Sequence, residues 1–426
     1  MASFFIPLTG LKADSTALNT IANNLANMNT TAFKSQSAEF SDLFYQQIGL
    51  AGSGDPIQQG AGTKVSTIGT DFTQGSISST GTATDVALDG NGFFVVGNDN
   101  ALDLTRAGNF SLDANGNLIT QDGLNVLGYP ATNGVVNTSS PLTNISIPVG
   151  QVESPNATTT MNMTANLDAS ATTGTSFPGQ ITIYDSLGVS HIATVTYTQT
   201  ATNTWSYSVA LPASDFASGT STPVTGTMSF DSSGNLASVT PTGAAGPETV
   251  GTAAGDVSSI PVSFTGLADG ASDLNMQWNL LGTGGTPTIS QVAAASAVSA
   301  TEQDGFASGQ YQSFAINADG TISATFSNGQ KLTVGQLALG NVTNLQGLRM
   351  LGNGDYQTTL ASGEVSIAAP GTAGLGTLEG GALEQSNVNI SDEFANLIIA
   401  QRTFEANSKA VTTFDTVTQD TIDMIH

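Results

Sequence analysis

His191 and His426 are the only imidazoles in this chain. A Ser-His-Asp triad would have to be built on His191, because that chemistry needs an imidazole to move the proton. His191 flanks a predicted strand, and the sequence predicts an ordinary surface or turn histidine there. The chain has no cysteine, which removes disulfides, thiolate metal sites and thiol nucleophiles. Asp113-Ala-Asn-Gly-Asn117 and Asp231-Ser-Ser-Gly-Asn235 have a faint likeness to calcium loops. An EF-hand loop needs glycine at its sixth position and glutamate at its twelfth, whereas here the glycine comes fourth. Both segments are therefore expected to be turns. Gly90-Asn-Gly92 lacks the third glycine and the following helix that would make a phosphate cradle. The 33 acidic residues could supply a glycosidase-type carboxylate pair, yet nothing singles one out. No catalytic, cofactor-binding or metal-ligating residue is expected, and no cofactor.

The composition narrows the possible partners. At 426 residues the chain is long enough for several domains, and 39% of it is hydrophobic. Only 10% is charged, and the net charge of −25 reflects a mere eight Lys and Arg. None of these lies between Arg106 and Lys331. Nucleic acid and anionic membrane surfaces both demand cations, so neither is an expected partner. No run of 18 apolar residues occurs, and no membrane insertion is expected. The N-terminus has no basic region, and Pro7 breaks its apolar run, so a cleaved signal peptide is not expected. Export would have to use a route without one.

The elements that organise the chain lie at its two ends. Ala382 to His426 contains neither Gly nor Pro. Ile390, Leu397, Phe404, Val411, Thr418 and Ile425 repeat every seven residues, and Phe394, Ile398, Phe414 and Ile422 widen that stripe. A seven-residue repeat drifts about 20° per heptad on a straight helix, so a long seam implies helices wound together. Ser391 with Glu393 marks the expected helix start. The helix would run roughly 50 Å and needs a partner.

Leu11, Leu18 and Leu25 repeat at the same spacing, with Asp14, Ile21 and Met28 three places on. This predicts a shorter helix ending near Asn27. The two termini would then pair as a coiled coil. Two readings stay open: a plain staple of the termini, or a pair whose remaining apolar flank is covered by other copies. Lengths of about 20 and 35 residues leave part of the longer helix unpaired and favour the second.

Between the helices the chain reads as β structure. Residues 49–69 read as an extended, glycine-rich connector. Asp85 to Val96 reads as two strands joined at an Asn91-Gly92 turn, the preferred hairpin pair. Phe110 to Leu118 and Phe314 to Ile322 read as two more hairpins. Residues 150 to about 290 alternate cleanly in several runs, such as Trp205, Tyr207, Val209 and Leu211, and predict an all-β sandwich or barrel. The expected fold is mainly β with α-helical termini and two looped-out β domains, one inserted in the other. The expected parts are a helical core of 1–70 and 370–426, a first β domain of 71–149 and 291–369, and an inserted outer β domain of 150–290.

The ends also carry specific short patterns. Asn19-Thr-Ile-Ala-Asn23-Asn24-Leu-Ala-Asn27, then Asn29-Thr-Thr-Ala-Phe-Lys34, resembles the N-terminal signature of the bacterial flagellar axial proteins, the rod, hook and hook-associated family. Ala32 departs from it, since many members carry glycine there. Leu383-Glu-Gln-Ser386-Asn387-Val388 and Gln401-Arg402-Thr-Phe-Glu-Ala-Asn407-Ser-Lys409 resemble the C-terminal signature. Gly90 to Val96 and Thr105 to Phe110 are similar to the shared β domain of that family. Ile183-Tyr-Asp-Ser-Leu-Gly188 with His191, then Trp205, resembles the extra β domain of the hook branch.

The resemblance implies a non-enzymatic building block that assembles with itself into a helical, flexible tube, a universal joint between rod and filament. It implies the distal rod protein, the hook cap protein, the hook-filament junction protein and the flagellar export apparatus as further partners. It implies an extracellular flagellar location. Other expectations are a distal rod or other axial protein, a secreted β-rich surface adhesin, and a secreted carbohydrate hydrolase.

Overall fold

The computed structural model describes residues 5–50, 52, 55–98 and 101–424. Ile425 and His426 lie outside them. The chain divides into two compact units. One comprises Met1–Val149, Ser313–Thr325 and Lys331–His426, and the other Gly150–Gln312 with Phe326–Gln330.

The second unit pairs a six-stranded antiparallel sheet with a five-stranded mixed one. The six-stranded sheet runs in chain order from Ser176–Tyr184 to Glu248–Thr249. In the other sheet, Thr160–Asp168 pairs in parallel with Leu274–Asn279 and Ile289–Val292, and antiparallel with Ala297–Gln303. That last pairing carries the unit past residue 290. Alternation does what strand geometry demands: Trp205, Tyr207 and Val209 point in and their neighbours out. The core gathers Met161, Met163, Leu167, Ile183, Val195, Tyr197, Phe264 and Trp278. Tyr197 and Tyr207 meet the Trp278 ring edge-on, with centroids 6.3 and 5.6 Å away.

In the first unit, α1 (Phe5–Ala26) and α2 (Ile390–Asp423) pack side by side. α1 is already helical at Phe5, and Pro7 fits because a first-turn N–H has no intrahelical partner to lose. α2 starts at an Asn389 cap, whose side chain accepts from Ser391 N, two positions before the expected Ser391 start. Asp392 and Glu393 in its first turn suit the positive end of the helix dipole. Five threonines of α2 (403, 413, 416, 418 and 421) each donate the hydroxyl to the carbonyl one turn earlier.

Two local expectations differ from the structure. The segment 49–69 is mostly β ribbon instead of a plain connector: Gln46–Leu50 pairs with Pro56–Gln59, and Gln36–Asp42 with Thr63–Thr70. The Asn91-Gly92 turn does not join a hairpin. Val86–Asp89 pairs with Thr377–Gly380, while Phe93–Asn98 pairs with Ala101–Thr105. A type I′ turn needs positive φ at both central residues, and here Gly92 has it but Asn91 does not. By contrast, Ser111–Leu112 and Leu118–Ile119 do pair as expected. In that loop Asp113 Oδ1 accepts from the backbone N–H groups of Asn115 and Asn117. Asp231 does the same with Ser233 and Asn235. The calcium-like segments are therefore turns closed on themselves.

Candidate functional site

Three consecutive residues, Lys34, Ser35 and Gln36, leave the turn after α1 and are each held by a different side chain. Lys34 Nζ lies 2.6 Å from Glu384 Oε1 and donates to Thr73 O at 2.8 Å. Ser35 N donates to Asn387 Oδ1, whose amide nitrogen returns to Asp71 O and Thr73 O. Gln36 N donates to Asn24 Oδ1, and Asn24 Nδ2 donates to Gln36 O and to Glu393 Oε1. Glu384 Oε1 also accepts from Gly75 N, and Glu384 Oε2 faces Arg106 Nε at 3.6 Å. Arg106 reaches Gly90 O and lies over the Phe93 ring.

Lys34 and Glu384 are each 1% exposed and Arg106 is 5%. Burial pushes the Lys34 ammonium and the Arg106 guanidinium below their usual ranges, and Glu384 pulls both back up. The N-terminal, C-terminal and internal patterns thus converge on one desolvated ion cluster. Their spacing hid this: Lys34 and Glu384 are 350 positions apart.

The turn that feeds this cluster is strained. Ala32 has φ of 54° and is 1% exposed, with its N–H bonded to Glu384 O. An alanine pays the Cβ clash of the left-handed region that glycine avoids.

The helix pair runs antiparallel, because Asn24 near the end of α1 meets Glu393 at the start of α2, while Asp14 accepts from Asn407 at 2.8 Å. Apart from these polar rungs the buried contact face is made mostly of small residues. Ala13, Thr20, Asn24 and Ala400 are buried, and a Cβ on Gly10 would come 2.7 Å from Asn407 Nδ2. The expected seam is therefore offset. Leu11, Leu18, Ile21 and Leu25 are half-buried beside it, and Met28 lies in the turn beyond the helix. Small residues let two backbones approach, so they take the contact face and displace the leucines sideways.

On α2, Leu397, Val411 and Phe414 are half-buried. Ile390, Phe394, Phe404 and Ile422 are exposed, and every residue described beyond Phe414 is exposed. Ser386 Oγ accepts from Val388 N. Asn27 bonds back to Asn23, Gln401 is exposed, and Arg402 makes an exposed pair with Glu405.

In the other unit His191 is not a surface residue; it is 6% exposed. Its Nδ1 lies 2.9 Å from Asp215 Oδ2, and its Nε2 lies 3.1 Å from Asp185 Oδ2 and 3.8 Å from Asp269 Oδ2. A strand-flanking histidine is ordinarily at the surface, but here Asp185 lies six residues away and Asp215 and Asp269 arrive from later loops that sequence spacing cannot place.

The same regions match known families. Residues 8–34 match the flagella basal body rod protein family, 87–166 the flagellar hook protein FlgE/F/G D1 domain, 154–306 the flagellar basal body protein FlaE D2 domain, and 379–424 the flagellar basal body rod FlgEFG protein C-terminal family. The flagellar hook protein FlgE of Escherichia coli is 34% identical, with 97% of this chain and 98% of that protein aligned. That of Borreliella burgdorferi is 32% identical over 99% of both. The crystal structure of Helicobacter pylori flagellar hook protein FlgE2 matches 71% of this chain and 99% of its own, with a TM-score of 0.52 at 16% identity, a likeness of fold. With near full-length identity at this level, and with the motif junction tying the matched terminal segments together, the chain belongs to the flagellar hook protein family, as a structural subunit of the hook.

Proposed function

We propose that copies of this chain assemble through α1 and α2 into the tube of the hook, a flexible coupling that carries torque from rod to filament. The outward face of α2 carries this reading. Phe394, Ile398 and Ile399 are 50%, 58% and 63% exposed, while small residues occupy the face toward α1. Ile399 borders a groove shared with Ala13, Ala17 and Thr20 of α1, and it stays as open as Phe394 and Ile398, so all three are surface awaiting cover. Burying one such side chain contributes roughly 1.5–3 kcal/mol, and in a helical polymer that gain recurs at every copy. Leu25, Phe404, Val411 and Phe414 join the same assembly core, with the motif junction holding the helices to the β structure. The distal rod protein, hook cap protein and hook-filament junction protein would be the subunit's neighbours. The flagellar export apparatus would deliver it outside the cell.

Phe394→Asp and Phe404→Asp, made separately, test this by electron microscopy of concentrated protein. The wild-type chain is expected to form tubes, and each variant to remain a soluble monomer whose β units melt normally. Variants that polymerise like wild type would overturn the reading. So would variants whose β units also unfold, since the helices would then only staple one subunit.

A further inference from the structure

We propose that Asp185, His191 and Asp269 bind one divalent transition-metal cation such as zinc, a site that goes beyond the assembly reading and does not depend on it. His191 Nδ1 lies 2.9 Å from Asp215 Oδ2, which can hold the proton of that nitrogen. Nε2 faces Asp185 Oδ2 and Asp269 Oδ2, at 3.1 and 3.8 Å, and a cation bound there would take the place of its proton. An imidazole held by a carboxylate on one nitrogen, with the other turned to further ligands, is the usual support of a metal-binding histidine. The three ligand atoms lie within 4.8 Å of one another. Atoms bonded to one zinc ion at about 2.0–2.2 Å sit roughly 3.3–3.6 Å apart in a tetrahedron, so these positions need little adjustment.

Charge gives a second and independent reason. Three carboxylates surround one imidazole, and this unit contains no Lys or Arg, because none occurs between Arg106 and Lys331. Even a doubly protonated His191 would offset only one of three negative charges. A divalent cation between Nε2 and two carboxylates would offset more, and a mixed nitrogen and oxygen set suits zinc, cobalt or manganese. The frame is prepared: Asp185 Oδ1 accepts from Leu187 N and Val189 N, both at 2.9 Å, which fixes its other oxygen toward His191. The Asp269 and Asp215 side chains are 25% and 21% exposed, so solvent reaches the cluster and water can complete the coordination. Asp185 follows a strand of the six-stranded sheet, and Asp269 lies between two strands of the five-stranded one. An ion there would cross-link the two sheets of the sandwich.

The test uses the full-length monomer, stripped with a chelator and titrated with zinc by calorimetry, and with cobalt to read the ligand field in the visible spectrum. One saturable equivalent is expected, together with a higher melting temperature for this unit. Asp269→Asn, a partly exposed loop change that should fold normally, is expected to weaken binding at least about tenfold. Asp215→Asn should weaken it about 10- to 100-fold by releasing the ring. Asp231→Asn, in an ordinary turn, should change nothing. No binding at about millimolar zinc would overturn the proposal and leave the cluster a protonated clamp. Binding that survives Asp269→Asn unchanged, or that exceeds one equivalent and is matched by magnesium, would show an adventitious ion only on an acidic chain.

Discussion

Trp205 and Trp278 are 0% exposed in the sandwich, while Phe394 and Ile398 of α2 are half-exposed or more. Both regions bury polar or charged groups, Asp185 and His191 in the sandwich and Lys34, Glu384, Arg106 and Asn24 around α1 and α2, but only the second leaves large aromatic side chains outside. The sandwich places its largest apolar groups inside and turns Ser and Thr outward, so its stability is its own. The helical region is held by hydrogen bonds and an ion cluster that fix geometry, and it keeps its apolar surface for something else. Buried ion pairs give little net stability, because desolvation offsets most of their attraction. They are costly to disturb, however, and that suits a joint whose angles matter.

The contrast can be broken from either side. Trp278→Ala should cost the sandwich about 3–5 kcal/mol, since it removes the ring against which Tyr197 and Tyr207 pack. Calorimetry should show one transition falling steeply while that of the other unit stays put. If both move together, the two units do not stabilise themselves separately. Glu384→Gln should cost the helical unit about 3 kcal/mol, because Lys34 and Arg106 would be left buried without a counter-charge. Its effect should appear as faster proteolysis at the ends, with the sandwich transition unchanged.

Two smaller effects sharpen the comparison. Asp355 is 6% exposed, and burial with the nearby Asp122 and Asp103 pushes its carboxyl up to about 6. A raised carboxyl pKa means the folded state holds the proton more tightly than the unfolded chain. The stability of this unit should therefore fall as pH rises from about 4 through 6. Asp355→Asn should flatten that slope and add about 1–2 kcal/mol at neutral pH, measured by denaturant unfolding across the window. Ala32→Gly should stabilise the helical unit by about 0.5–1 kcal/mol, by relieving the left-handed backbone at φ 54°. A destabilised Ala32→Gly would mean that the lost methyl packing outweighs the strain.

What could be read from the sequence follows from how far each signal reaches. Period-two alternation at Trp205, Tyr207 and Val209 is local and gave the sandwich strands their faces. The helical segments at both ends were legible for the same reason. The helix contact face was not. Leucine spacing marks an apolar stripe, but Gly10, Ala13 and Ala400 are too small to register in such a pattern, and close approach selected them. The Asn91-Gly92 segment shows the matching failure among turns, since a favoured dipeptide cannot reveal that its flanking strands pair elsewhere. Both titratable clusters escaped as well. Glu384 with Lys34, and His191 with Asp269, are meetings of residues far apart in the chain, and no local pattern encodes them.

The threonines of α2 disguise what that helix offers its surroundings. Thr403, Thr413, Thr416, Thr418 and Thr421 give their hydroxyl hydrogens to their own backbone one turn back. A hydroxyl hydrogen spent inward is no longer available to a neighbour, and only the acceptor oxygen and the methyl on the same carbon remain. The last turns of α2 therefore present a skin of methyl groups where the sequence spells alcohols. A second helix laid against the face between Asp415, Asp420 and Asp423 would meet a smooth, greasy surface with few hydroxyl donors to hold it in one register. Such contacts resist separation far better than they resist sliding.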